Sequence, residues 1–546
     1  MKISSFFESL NGISWFFIIV FASALLLIVL SAFFPPLDPR EPPSIRPRIP
    51  FIGHIVGLFR HQIHYFDMLN AKYALPIYTL PMLAGKTYVV TSPDLVQSTL
   101  RVRDDSLSVE PFMINVVAKN LNDQSPEAMK VWTHIPKGTN EPFMLQDVTK
   151  AFIKALNPGA ELHRLNLTAL TKFSNLLDPI HVPQEEALYL WLRHTFTIAA
   201  TTALFGPHNP MALNPSLVEA QWTMEASSLW IFLGFFPLLI VPKAFFARAA
   251  VQSAYSAYHA AGHDALPDVS AAIKSHSDIL RRYGLTDSDI GKADVAILHG
   301  ATGNAALVFF WLCVHIFADV ELKGEIRGEL LAIATEQTDK TAEGRREMVI
   351  DISRMASTCP LLYAVHQEVF RTKMFSPVTR FITADTMVSD SQGTSYLLKA
   401  GSIVQIPTAV PQTSADVWGP DAHLFDARRF LKPTVGDKEA LSEAKKEQEK
   451  LQKKAFFPFS NGVHKCPGRH FATAEHLGMV AMLVLGFEIT TLDGKAIMIP
   501  PNPEAQRGMS SGAGKPSDEF AKLRVKVERK KGWEDVVWKF KVAEEK

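Results

Sequence analysis

The residue types best suited to chemistry meet in one stretch, Phe459-Ser460-Asn461-Gly462-Val463-His464-Lys465-Cys466-Pro467-Gly468-Arg469. Cys466 is one of only three cysteines and stands between two glycines, and a run that reads as helix begins just after it at Phe471. A thiolate there is stabilised by the free backbone N–H groups and the positive dipole end of the helix N-terminus. Pro467 suits a first helical position, where its missing N–H costs nothing. Gly462 and Gly468 permit backbone angles and close approaches that a side chain would block. The stretch therefore presents a single sulfur to something large and flat, with Phe459 available to shield one side. A buried structural cysteine on a turn is the plainer alternative, but it leaves the glycines, proline, aromatic and basic residue without a common reason.

Two further constellations must be positioned relative to that sulfur. Glu368-Val369-Phe370-Arg371 puts a carboxylate and a guanidinium three apart on one helix face, where they pair locally. Downstream, Phe425-Asp426-Ala427-Arg428-Arg429-Phe430 offers a second guanidinium, Arg429, to complete a buried cluster that fixes the loop leading to Cys466. Asp294 to Phe317 is apolar nearly all round and reads as one long buried helix containing Ala301-Thr302-Gly303-Asn304-Ala305.

These motifs resemble those of the cytochrome P450 family. The Cys466 stretch matches the haem-binding loop F-x-x-G-x-[RH]-x-C-x-G at Phe459, Gly462, His464, Cys466 and Gly468, with His464 in place of the usual Arg. The resemblance implies haem b, Cys466 as its axial thiolate, and propionate contacts from His464 and from Arg380 in Ser376-Pro377-Val378-Thr379-Arg380-Phe381. It implies a mainly α fold with small β-sheets, preceded by a single N-terminal transmembrane helix. Glu368–Arg371 is the family's E-x-x-R, and Phe425–Phe430 resembles F-x-P-x-R-F with Ala427 for the proline. The central helix departs from [AG]-G-x-[DE]-T, because Asn304 replaces the acid and Ala305 the threonine. Proton delivery then falls to Thr302, water or the substrate, around Gly303. Such Gly-Asn sequences mark the sterol-hydroxylase and prostacyclin-synthase branch. The leading expectation is a monooxygenase acting on a lipophilic molecule with O₂ and electrons from NADPH-cytochrome P450 reductase. The alternative is an isomerase or dehydratase that acts on a peroxide without a reductase.

Composition agrees with one large enzyme and an anchor. The chain has 546 residues, is 47% hydrophobic and carries a net charge of +1, so there is no electrostatic case for nucleic acid. Three cysteines argue against a disulfide framework and for a reducing compartment. Ile13 to Phe34 is 22 residues without a charge, long enough to span a bilayer and too long for a signal-peptide core. Arg40, Arg46 and Arg48 follow it, which places the catalytic part in the cytosol, as a single-pass protein of the endoplasmic reticulum membrane. The expected organisation is an anchor over 1–34, a proline-rich hinge over 35–53 and a haem-thiolate domain over 54–546.

Other segments give simpler expectations. Seven prolines between Pro35 and Pro50 make a stiff, extended spacer. Pro76–Leu80 and Lys86–Thr91 read as strands, followed by a helix from Pro93 capped by Ser92. Leu229 to Val241 is an apolar run too short to span a bilayer. It is either a core segment or, by resemblance, a membrane-touching substrate entrance. Leu398 to Val404 reads as a hairpin. Asp437 to Lys454 holds 11 charged residues among 18 and reads as solvated. Arg507–Gly512 resembles the family's C-terminal hairpin. No W-x-x-x-R is found, because Pro136 follows Trp132 too closely for a matching helix, and the tail beyond Lys530 carries no functional reading.

Overall fold

The computed structural model describes residues 37–47, 52–82, 85–103, 105–136, 141–337, 344–432, 443–501 and 512–541, with Thr341 and a few positions between 17 and 23. The expected anchor lies outside the described residues, apart from Phe17, Ile19, Val20, Phe21 and Ser23, which are helical and exposed. Most of the expected C-terminal hairpin, residues 507–511, also lies outside them. The chain folds as two compact units, one of residues 1–108 and 379–406, the other of 109–378 and 407–546.

The first unit is built on a sheet. Its strands are β1 (Ile77–Pro81), β2 (Lys86–Val90), β3 (Leu107–Ser108), β4 (Pro377–Ile382) and β5 (Ile403–Pro407), in the order β1-β2-β5-β4-β3. β1 and β2 are antiparallel with Ile77 opposite Val90, and β5 runs parallel to β2 with Ile403 opposite Thr87. Tyr78, Tyr88, Val89 and Val90 are fully buried, as β-branched and aromatic residues on a covered sheet should be. Pro93–Arg101 is helical with proline in its first turn.

Two expectations change in this unit. The described part of the proline-rich segment, 37–47, turns at Asp38–Glu41 (Glu41 N–H to Asp38 O, 2.8 Å) and is not free-standing, because Ile45 N–H donates to Thr79 O (3.0 Å) and Thr79 N–H to Pro43 O (2.8 Å). Ile45 is buried, and the carboxylate of Glu41 takes hydrogen bonds from Lys86 and Tyr88. Leu398 to Val404 is not a hairpin. Ser395–Leu398 pairs with Thr386–Ser389, whereas β5 pairs with β2, so the glycine turn passes the chain between two sheets.

The second unit is helical. Its principal helices are α1 (Ala160–Leu177), α2 (Leu188–Phe205), α3 (Ser216–Ala226), α4 (Pro242–Ala260), α5 (Ala271–Arg282), α6 (Asp287–Thr302), α7 (Ala305–Ala318), α8 (Pro360–Lys373) and α9 (Arg469–Gly486). α7 is buried from Ala305 through Phe317, and Phe309 meets Phe173 of α1 edge-on (5.7 Å) and Phe196 of α2 (5.5 Å). The expected single helix over 294–317 starts earlier, at Asp287, where Thr286 and Asp289 form a capping box. It is interrupted at Gly303–Asn304, although both residues keep right-handed backbone angles. Asp287–Ala318 is, among the described residues, the one stretch long and apolar enough to cross a membrane, and 78% of its apolar window is buried inside the protein.

The tail has a structural role. Val536–Lys541 runs parallel to Arg346–Asp351, and Trp538 fills the place of a Gly486 side chain, whose Cβ would stand 2.6 Å from the indole. The charged segment is a helix over Glu443–Ala455. The run at 229–241 divides, with Ile231 buried and Phe235, Phe236, Leu238, Leu239 and Ile240 exposed, so it is not a core segment at its tip.

Candidate functional site

The Cys466 loop is held from both ends. Cys466 N–H donates to Phe459 O (2.9 Å), closing the loop, and Asn461 Oδ1 accepts from Gly462 N–H (2.9 Å). Gly462 has φ +70°, a left-handed conformation costly for a side chain, and opens a 3₁₀ turn that carries half-buried His464. Gly468 precedes α9, and a Cβ there would stand 3.9 Å from Cys466 Sγ. Backbone N–H groups of Gly468 and Arg469 point at the sulfur, as the helix-terminus argument requires, but burial is the stronger influence and pushes the free thiol up. All three cysteines are free, so none is in a disulfide.

Phe459 keys this loop to α8. Its ring meets Phe370 at 4.8 Å, and Phe370 lies between Glu368 and Arg371 in sequence. Arg371 grips Glu368 bidentately (2.7 and 2.6 Å), and both side chains are fully buried. Its remaining donors reach the carbonyls of Gln412 (2.9 Å), Ala422 (2.6 Å) and Leu424 (3.0 Å). Arg429 joins as expected, but by one bond to Glu368 (3.3 Å) rather than two, and turns its other end to Asp421 (2.9 Å). Asp426 N–H also donates to Glu368 (3.0 Å), so the carboxylate holds the loop at two points.

On the central helix the four candidates have unlike surroundings. Thr302 is buried and its hydroxyl donates to Leu298 O (2.7 Å) within the helix. Gly303 admits Glu225 of α3, because a Cβ there would come within 3.3 Å of the carboxyl group. Asn304 Oδ1 accepts from the N–H groups of Gly512 (2.9 Å) and Ala513 (3.1 Å), tying the interruption to the C-terminal segment. Ala305 is buried, and its carbonyl is 2.9 Å from Nε2 of His476. Arg380 lies in the first unit, buried on β4, with Nη1 donating to Thr379 O (2.9 Å).

Two groups escaped sequence reasoning. His476 Nδ1 stands 3.0 Å from His366 Nε2, and burial holds both rings neutral, His476 near 4 and His366 well below its usual value. Since Ala305 O can only accept, His476 donates through Nε2 and accepts at Nδ1 from His366. This fixes the tautomers of a chain joining α8, α9 and α7. The second group is Glu225 with His299 (Oε2 to Nδ1, 2.5 Å). Partners 74 to 171 positions apart leave no local pattern for a sequence to display.

The sequence model of the family described as Cytochrome P450 matches residues 264–514. A cytochrome P450 monooxygenase of Gibberella zeae is 34% identical over 527 residues, covering 95% of each chain. The chain belongs to the cytochrome P450 family. Cytochrome P450 monooxygenase nodJ of Hypoxylon pulicicidum is 29% identical, covering 93% of each chain. The human 7-alpha-hydroxycholest-4-en-3-one 12-alpha-hydroxylase is 21% identical over 83% of this chain and 87% of its own.

This P450 is therefore an oxidoreductase of the monooxygenase type, and the family's cofactor is haem b held by a cysteine thiolate. The residues present fit that group. Cys466 offers a sulfur flanked by N–H donors, and Gly300 of α6 is exposed, with no atom within 4 Å of where a Cβ would stand.

Proposed function

We propose that this P450 hydroxylates or oxidises a lipophilic small molecule (a sterol, terpenoid or other secondary metabolite) with O₂ and electrons from NADPH-cytochrome P450 reductase. Cys466 would supply the thiolate that holds the haem iron. The observation that carries this reading is the Cys466 loop, with two N–H groups turned to a sulfur locked by Phe459 and the Glu368 cluster. Haem bound there supplies the activation of dioxygen. The chain's own residues do the rest. Phe459, Gly462 and Gly468 would shape the loop that receives the haem, His464 and Arg380 would hold its propionates, and the segment from Thr302 to Ala305 would border the bound oxygen. The substrate class is supported by the human relative's name, which specifies a sterol-derived ketone, and by the apolar character of the chain.

The same reading places the enzyme on the endoplasmic reticulum membrane as a single-pass protein with its catalytic part cytosolic. The uncharged run at 13–34 supports the anchor, and the exposed tip at Phe235–Ile240 supports a second contact with the bilayer.

A second reading rests on a specific observation. Neither Asn304 nor Ala305 can deliver a proton, and the Thr302 hydroxyl is already donated to Leu298. An isomerase or dehydratase acting on a peroxide needs no such delivery. Turnover with and without NADPH and reductase tests the pair. Reductase-dependent product is expected, and product from a lipid hydroperoxide alone would replace the first reading with the second. A Cys466→Ser protein without the thiolate-type Soret band in its reduced carbon-monoxide complex tests the ligand.

A further inference from the structure

His299 and Glu225 meet at the helix interruption, on α6 and α3. His299 Nδ1 is 2.5 Å from Glu225 Oε2, and Glu225 is buried with its carboxyl group against Gly303. Lys515 closes the group, with Nζ donating to the Glu225 carbonyl (3.2 Å). The imidazole is held up and the carboxyl held down by each other against a desolvation that opposes both charges, so the two form an ion pair. With Lys515 beside it, the cluster carries one net positive charge.

The ring is deep enough for desolvation to be the largest influence on it, yet 21% of the His299 side chain is accessible. About a fifth of the His299 side chain is thus turned to open space rather than packed. The next residue, Gly300, is open at its Cβ position, and Phe232 meets the imidazole edge-on at 5.4 Å on the other side. Nδ1 is committed to Glu225, and a protonated imidazole has one more N–H, at Nε2.

We propose that His299, anchored by Glu225, is a substrate-orienting donor: its Nε2–H binds an oxygen acceptor, a carbonyl or carboxylate, on an otherwise lipophilic substrate. This rests on the proposed haem-thiolate reading and narrows its substrate class. Gly303 serves the arrangement, since a larger residue there would displace the Glu225 carboxyl group. A fixed cationic donor aligns a molecule that apolar contacts alone leave free to rotate, and it penalises the hydrocarbon analogue by leaving the charge without an acceptor.

The test uses the haem-loaded full-length protein in lipid nanodiscs and reads dissociation constants from difference spectra. The probes are matched sets on a linear C12 chain, a decalin and an androstane skeleton, each as hydrocarbon, ketone and carboxylic acid. Oxygenated members are expected to bind about ten- to a hundredfold more tightly than their hydrocarbons. His299→Leu should erase that preference while leaving hydrocarbon binding in place, and His299→Gln, which keeps an amide donor, should restore part of it for ketones. No preference in the unaltered protein on any skeleton, or a preference that survives His299→Leu, overturns the proposal. Failure of the haem-thiolate reading would appear separately, as loss of the thiolate-type carbon-monoxide band in every protein.

Discussion

Glu475 shows how much one residue's surroundings decide. It sits on α9 nine positions after Cys466, is buried, and neither carboxyl oxygen has a hydrogen-bond partner among the described residues. Burial pushes its pKa well above the usual carboxylate range, so the group is a neutral acid in the folded protein. The folded state then binds a proton that the unfolded state releases, and this group lowers stability progressively as pH rises above its unfolded value of about 4.3. Glu475→Gln is therefore expected to unfold at a higher denaturant concentration than the unaltered protein at pH 8, with the difference shrinking toward pH 5. Equal midpoints at both pH values would contradict the neutral-acid reading. Asn304 makes the opposite point. Its sequence position suggested a lost catalytic acid, whereas its oxygen receives two backbone N–H groups from the C-terminal segment. Asn304→Ala leaves those donors without that acceptor and is expected to cost about 1–3 kcal/mol in equilibrium unfolding, before any effect on turnover.

Pairs of elements carry the next scale. α8 is tied to the loop before Cys466 by the Glu368 cluster, where the carboxylate is shared among Arg371, Arg429 and the Asp426 N–H. Arg371→Ala takes the bidentate partner from a buried carboxylate, leaving it Arg429 by one 3.3 Å bond, and frees three carbonyls. A loss of about 3–5 kcal/mol is expected, with failure to retain haem on gel filtration as the visible sign. α4 and α6 are joined by His259 Nε2 on Asp294 Oδ2 (2.6 Å), with Asp264 at 3.4 Å from Nδ1, Arg281 on Asp264 and His276 at 3.5 Å from Asp294. These carboxylates outweigh burial and raise His259 to about 9. The stabilisation is complete below the unfolded histidine value of about 6.5 and is lost as pH rises through about 9. Asp294→Asn should flatten unfolding free energy against pH over that window, and an unchanged slope would rule the pair out. E-x-x-R was legible because its partners are three apart. The histidine–aspartate tie was not, because 35 residues separate its members.

At the scale of the whole molecule the proposed bilayer contact makes its own prediction. The exposed Phe235, Phe236, Leu238, Leu239 and Ile240 form a clustered apolar tip between α3 and α4, where five large apolar side chains within six residues face outward. A bilayer contact there predicts that the chain starting at Leu37 still binds phosphatidylcholine vesicles in a flotation assay. Phe236→Ser with Leu239→Ser should weaken that binding at least about tenfold, since each such side chain is worth about 1.5–3 kcal/mol when fully buried. Undiminished flotation would leave the tip without a membrane role.

The sequence alone determined the family, the cofactor and the ligand candidate, because the Cys466 loop packs its requirements for φ, close approach and helix-end polarity into ten consecutive residues. It also determined the helical character of the long apolar and amphipathic runs, which is a matter of local period. It misread Leu398–Val404 as a hairpin, because strand pairing depends on which neighbour is in reach rather than on the turn. It could not say what stands opposite Gly303 and Asn304. Only the tertiary structure brought Glu225, His299, Gly512 and Ala513 to that point, because contacts between residues far apart in the chain are decided by packing and leave no trace in local spacing.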